Sequence, residues 1–234
     1  MSQSFVHFIP IATTLLAIPF ALEIFRRYRA HPERLHLLWW ALGIATYGVG
    51  TFTESLTSVF GWQEPVFRAW YVSGALLGAA PLAQGTVYLM LSRRIAHALT
   101  ALLIVYVVLA SVAVYLSPID FTLVETHRLS GRVFAWQWVR RFSPFVNLYA
   151  VVFLIGGAIL SALRYSADVA THHRMWANVL IALGAILPGI GGTATRMGHV
   201  EVLYVTELVG LLLTWTGYRM SVGAPKRSED LVIS

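Results

Sequence analysis

Apolar residues run along this chain in long, almost unbroken blocks, interrupted by short clusters rich in arginine. Seven blocks fall at roughly 4–26, 35–56, 67–90, 95–116, 143–165, 174–196 and 200–220, each close to the about 20 residues that a helix needs to cross bilayer hydrocarbon. In lipid, backbone N–H and C=O groups must be satisfied inside the segment, so such blocks are helices. A β-barrel would show short alternating segments instead. The pattern predicts an all-α integral membrane protein, with residues 1–234 forming a single domain: a bundle of seven transmembrane helices. The remaining tails and loops leave no room for a second folded domain.

One connection is long, about residues 117–142. Two β-prone runs, 121–128 and 132–138, flank Ser130-Gly131. They predict a short β-hairpin between helices 4 and 5. Phe134, Trp136 and Trp138 would share one face of it. Such a hairpin lies on the membrane surface or forms a lid over an outward-facing pocket.

The basic residues set the direction. With the amino terminus outside, the cytoplasmic loops and tail hold Arg26, Arg27, Arg29, Arg34, Arg93, Arg94, Arg164, Arg174, Arg219, Lys226 and Arg227. The outside holds only Arg68, Arg128, Arg132, Arg140, Arg141 and Arg196. Cytoplasmic enrichment of arginine and lysine then favours an N-out, C-in chain. Met1 to Ser4 carry no basic residue, and the Arg26, Arg27, Arg29 cluster follows the first block. That order predicts a retained first helix rather than a cleaved signal peptide. Trp39, Trp40, Trp176 and Trp215 fall near the inner interface, and Trp62 and Trp70 near the outer one, as an aromatic belt.

Composition narrows the classes. Of 234 residues, 57% are hydrophobic and 12% charged, and the mean hydropathy is +0.68. An ordinary soluble domain carries about 25% charged residues. A soluble globular protein, a disordered chain and a nucleic-acid-binding domain are excluded. The net charge of +6 comes from arginines suited to anionic headgroups, so membrane lipids are the expected partners. With no cysteine there is no disulfide, thiolate metal site or thiol nucleophile. Two Asn and four Gln fit a heat-adapted or GC-rich bacterial source, hence a bacterial cytoplasmic membrane.

The chain echoes itself. Tyr28 to Trp39 and Tyr165 to Trp176 have the same spacing. Residues 41–50 and 182–191 both read Ala-Leu-Gly, four residues, Gly, one residue, Gly. A three-plus-one-plus-three duplication would produce this, and parallel repeats of that kind occur in some transporters.

Ionisable residues inside a span are costly and point to function. Glu207 lies about seven residues into the last block, with Gly210, Thr214 and Gly217 on its helical face. Glu54 continues a face carrying Gly43, Tyr47 and Gly50. The third block carries Gly74, Gly78, Pro81, Gly85, Tyr88 and Gln84, and the sixth Gly184, Pro188, Gly191 and Thr195. Pro81 and Pro188 mark candidate kinks. Glu54, Arg68, Arg196, His199, Glu201 and Glu207 all fall in the outer third. They form either helix-holding ion pairs, Glu54 with Arg68 or Arg196, or a polar site opening outward. Burial of Glu207 favours a neutral or proton-exchanging acid.

Other chemistry is missing. The histidines sit at span ends or in loops, so neither haem nor another cofactor is expected, and no HExxH spacing is present. No GxSxG elbow or Walker glycine loop occurs, so nothing supports an enzyme. The helix count matches retinal proteins, but residues 200–220 contain no lysine for a Schiff base.

These features predict a receptor-like or sensory module that binds a small amphipathic ligand from outside. Tyr47, Glu54, Gln84 and Glu207 would line the pocket, and Arg68 and Arg196 would rim it. Short inner loops would then require a separate protein partner. A small-solute or proton-coupled transporter is the alternative, with Glu207 as the coupling acid. An accessory subunit of a membrane complex, or a homo-oligomer held by glycine faces, is the third reading.

Overall fold

A computed structural model describes residues 5–166 and 171–223. Met1 to Ser4, which bear on the signal-peptide question, lie outside the described residues, as do Lys226 and Arg227 from the inner charge count.

The described chain is α-helical, with no strand among the described residues. α1 is Ile9–Ala30, α2 Leu35–Phe60, α3 Glu64–Trp70, α4 Ala80–Met90 and α5 Arg93–Leu116. α6 is Phe142–Ala150, α7 Gly156–Ser166, α8 His172–Arg196 and α9 Val200–Val222. A π-helical stretch, Tyr71–Leu77, continues α3, and another, Val151–Ile155, joins α6 to α7. Proline opens α1, α3 and α4, where its missing N–H costs no helical bond. Gly78, at φ +47°, breaks the third run just before Pro81. Gly78 therefore ends a helix rather than continuing a Gly74/Gly78 packing stripe. Pro188 lies inside an unbroken α8.

Six helical runs are long and apolar enough to cross a membrane: Val6–Ala30, Glu64–Met90, Arg93–Leu116, Gln137–Ser166, His172–Arg196 and Val200–Val222. Their outward faces expose Leu15, Leu102, Leu109, Phe145 and Leu163. Apolar surface on that scale needs lipid against it, so the chain is an integral membrane protein. The seventh expected span, α2, is 26 residues long but not among the six. The reason is local. Its last three turns carry Thr51, Thr53, Glu54, Ser55, Thr57 and Ser58, all buried inside the bundle. Four of these hydroxyls return to the helix itself: Thr51 to Gly48, Thr53 to Gly50, Ser55 to Thr51 and Thr57 to Thr53. Low apolarity here reflects an inward polar face.

The runs close into a ring. α1 packs on α2, α2 on the α3–α4 run, α4 on α6 and the π-helical stretch after it, α7 on α8, α8 on α9, and α9 back on α1. α5 lies outside the ring, against α4 and Tyr71–Leu77. Glycine permits the closest approach. A Cβ on Gly184 would lie 2.4 Å from Thr214 Oγ1, and one on Gly191 2.1 Å from Thr206 Oγ1, so α8 and α9 touch along their length. Gly43 of α2 does the same toward the third run, where a Cβ would meet the Leu82 side chain at 2.5 Å; at Gly50 a Cβ would make only ordinary contact with Gly74 Cα, at 3.6 Å.

The connection between α5 and α6 is not a hairpin. Only isolated bridges, Ile119 to Phe134 and Glu125 to Arg128, pair across it. Short 3₁₀ turns at Phe121–Leu123, Gly131–Val133 and Gln137–Arg141 take the place of strands. Burial overrides the alternating pattern. Phe134 is fully buried against Phe67 and Tyr71, at ring distances of 5.0 and 4.8 Å. Trp136 and Trp138 stay exposed and stack on each other at 5.9 Å. The three aromatics therefore do not share a face. Leu129, Val133 and Val139 are buried beside Phe134 and pin the segment onto one end of the bundle, called here the loop end.

Candidate functional site

Two cavities lie within the ring. The larger, about 850 Å³, occupies the loop-end half. The smaller, about 270 Å³, occupies the opposite half, beside Tyr165, Arg174, Asn178, Tyr218 and Ser221. Ile44, Leu82, Leu154, Ile181 and Thr214 line both. Four apolar side chains and one threonine thus stand where the cavities meet.

The wall of the loop-end cavity carries the two acids. The face of α2 that holds Gly43, Tyr47, Gly50 and Glu54 repeats at helical spacing and turns inward. Glu54 is 3% exposed. Its Oε1 accepts a hydrogen bond from Trp70 Nε1 at 2.9 Å. The Glu207 carboxyl stands against that of Glu54, within side-chain hydrogen-bonding reach. Tyr47 spans the two helices, its hydroxyl donating to the Glu207 backbone carbonyl at 2.9 Å. Glu54 Oε2 and Glu207 Oε2 are buried without a hydrogen-bond donor among the described residues. A buried acceptor left without a donor costs about 1–3 kcal/mol, more when charged. Two like charges at this range also repel, so the pair calls for a shared proton or a cationic donor.

The loop end of the same cavity is arginine-rich: Arg128, Arg132, Arg140 and Arg141 from the α5–α6 connection, and Arg196 from the end of α8. Arg128 is committed, to Glu125 at 3.1 Å and to the Thr195 carbonyl at 2.6 Å. Arg140 donates to Gln137 Oε1 at 2.7 Å. Arg132, Arg141 and Arg196 form no ion pair among the described residues.

Of the residues expected at a site, Tyr47, Glu54, Arg196 and Glu207 line this one cavity. Arg68 and Gln84 do not. Arg68 is buried and faces α5: it pairs with Glu64 at 2.7 Å, donates to the Ser117 carbonyl at 2.9 Å and bonds the Val114 carbonyl. It ties α3 to the end of α5 and rims nothing. Neither Arg68 nor Arg196 pairs with Glu54. Gln84 is fully buried between α4, α5 and α6. Its Nε2 donates to the Ala96 carbonyl at 3.1 Å and to Thr100 Oγ1 at 2.8 Å, and its Oε1 accepts from the Tyr149 hydroxyl. Tyr88 extends the network, 3.0 Å from Thr100 Oγ1 and 2.8 Å from His97 Nδ1.

Sequence reasoning missed Trp70 as the Glu54 partner, the inward turn of the loop arginines and the second cavity. The arginines were visible as charge, but their placement follows from the burial of Phe134. Gly131 seats the same segment, since a Cβ there would meet Tyr71 at 2.8 Å. No cluster of three or more metal-ligating side chains occurs among the described residues.

No family model, curated protein or solved structure matches the chain.

Proposed function

We propose that the chain is a seven-span carrier of a small solute in a bacterial cytoplasmic membrane, with α2 as the seventh span and the loop end outside. The observation that carries this reading is the pair of cavities meeting at Ile44, Leu82, Leu154, Ile181 and Thr214. A receptor needs one pocket. A carrier needs a site that can be reached from each side in turn, separated by a constriction that can open. Hydrophobic constrictions are common gates.

Two further features support the reading. The ring order of the helices is unchanged when spans 1, 2 and 3 exchange with spans 5, 6 and 7. One pair of echoed glycines makes corresponding close contacts, Gly43 toward the third span and Gly184 toward the seventh. Both are what a parallel duplication produces, and carriers built from such repeats bind substrate near the repeat interface. The Glu54 and Glu207 pair is the coupling element: a shared proton relieves their repulsion, and its release accompanies solute exchange. The receptor-like reading shares the loop-end cavity and gives the second cavity no role.

The absence of cysteine makes a direct test simple. Gly192 lines the loop-end cavity with no atom within 4 Å of an added Cβ, and Ser221 lines the other cavity. In a Gly192→Cys/Ser221→Cys protein, a bulky impermeant maleimide added outside should label the first cysteine and then lower the reactivity of the second from inside several-fold. Unchanged reactivity at the second cysteine means a fixed pocket, and the carrier reading fails.

A further inference from the structure

The loop-end cavity is bipolar, and its occupant should be bipolar too. The Glu54 and Glu207 carboxyls sit on one wall, each with a buried oxygen that has no donor. Beside them are the Trp70 indole, already bonded to Glu54, and the Tyr47 ring. This is a setting for a cationic head with several N–H donors. Carboxylates supply the counter-charge, and aromatic faces add cation–π attraction. The two orphaned oxygens are closed off from the cavity, so an ammonium, with three donors to give, engages them by entering between the two carboxyls.

The other pole is arginine. Gly184 and Gly191 of α8 face Gly210 and Leu203 of α9, which places Glu207 level with the middle of that stretch. Arg196 is then about eight residues nearer the loop end, on the order of 12 Å at 1.5 Å per residue. Its side chain and those of Arg132 and Arg141 are exposed where they line the same cavity, and none has an acidic partner among the described residues. Between the poles the wall is uncharged and built of small side chains, with Pro188, Gly189, Gly192 and Thr193 of α8 beside Leu203 of α9. A simple anion would meet the carboxylates, and a simple cation would have to pass the arginines.

We propose that the cavity binds a small zwitterion with an ammonium or substituted ammonium at one end, a carboxylate or phosphate at the other, and a short apolar body between. The ammonium sits between Glu54 and Glu207, and the anionic end reaches Arg132, Arg141 and Arg196. This rests on the loop-end cavity being the solute site of the proposed carrier, and it names the solute class. Tyr47 on α2 and Tyr204 on α9 face the acid pair, Glu201 of α9 acts on Tyr204, and the loop-end arginines line the same cavity. His7 packs its ring on Tyr204 at 6.1 Å. Proton release from the pair strengthens the negative pole, so zwitterion binding tightens as pH rises until the pair is free of protons.

Thermal unfolding of the purified full chain in detergent tests the class directly. The probes are 4-aminobutyrate, 6-aminohexanoate and 8-aminooctanoate, against hexylamine and hexanoate at equal concentration. At least one ω-amino acid should raise Tm by several degrees, with neither single-charge compound doing so. Glu54→Gln and Glu207→Gln should each abolish the shift, read against the variant's own ligand-free Tm. The triple change Arg132→Gln, Arg141→Gln, Arg196→Gln should weaken binding about tenfold or more. A shift with hexanoate equal to that with 6-aminohexanoate makes this an anion site and overturns the proposal. An equal shift with hexylamine overturns it in favour of a cation site, and no shift with any probe overturns it outright. Binding is read here without transport, so the solute class and the carrier reading can fail separately.

Discussion

Two buried polar clusters lie on different sides of this bundle, and they are built to opposite rules. Around Gln84, donors and acceptors close on one another: Ala96, Thr100 and Tyr149 satisfy its amide, and Tyr88 carries the network on to His97. Neither the loop-end cavity nor the smaller one touches Gln84. Around Glu54 and Glu207, two buried acceptors lack a donor, in carboxyls that line a space of about 850 Å³. A closed network holds helices together. An open one facing a cavity stores an unmet demand for a partner, which is the energetic basis of binding. Buried polarity alone therefore does not mark a site in this protein. Unsatisfied polarity does.

The sharpest way to break this contrast is through helix packing, which should matter to neither cluster's chemistry yet holds both in place. Gly184→Val should cost about 3 kcal/mol or more, since its side chain would overlap Thr214 and the Gly210 carbonyl, and chemical unfolding in detergent would read it. Gln84→Leu comes next. It strands the Tyr149 and Thr100 partners and should cost about 1–3 kcal/mol, while probe binding at the loop-end cavity keeps its affinity. Glu207→Gln should behave in the opposite manner. Removing one of two facing acids leaves stability unchanged or raised, by up to about 1 kcal/mol, while ligand-dependent stabilisation disappears. If Gln84→Leu abolished binding and Glu207→Gln unfolded the protein, the division between the clusters would be wrong. Trp70→Phe removes a single hydrogen bond to Glu54 and should lower stability by about 1 kcal/mol, seen as a lower unfolding midpoint.

The smallest effect belongs to the loop. Asp120 accepts from the Thr122 hydroxyl at 2.6 Å and from its backbone N–H at 3.0 Å, and these bonds hold its carboxyl below the usual carboxylate range. A depressed folded value means the stabilisation is present above the ordinary carboxylate range and is lost as pH falls through the lowered value. Limited proteolysis of the α5–α6 connection should therefore quicken slightly in strong acid. In Asp120→Asn this pH dependence should vanish.

Much of the scaffold could be read from hydropathy alone because lipid imposes one rule on every spanning residue. α4, α5, α8 and α9 end within two or three residues of the apolar blocks. α2 shows the cost of that rule, since its inward polar face lowers the apolar average of a helix as long as its neighbours. At the site, Glu54 and Glu207 stood out as isolated acids in apolar surroundings, and Tyr47 shares the Glu54 face. Gln84 had the same isolation and a different fate, and Arg68 had Glu64 four residues before it as a partner. Whether a buried polar group is closed or open depends on partners far along the chain, such as Val114, Ser117 and Tyr149, which local periodicity does not reveal. The loop failed for a related reason. Its alternation promised strands, but burial of Phe134 and Val139 against the bundle fixed 3₁₀ turns instead.

The central claim is that Glu207 lines the loop-end cavity on a wall made negative by Glu54 beside it. Charged thiol reagents test it most directly on Glu207→Cys, in a chain with no other cysteine. A trimethylammonium methanethiosulfonate added from the loop end should react readily, and several-fold faster than its sulfonate counterpart, because Glu54 remains beside the target. Equal rates, faster reaction of the sulfonate, or reaction only with a lipid-soluble reagent would contradict it.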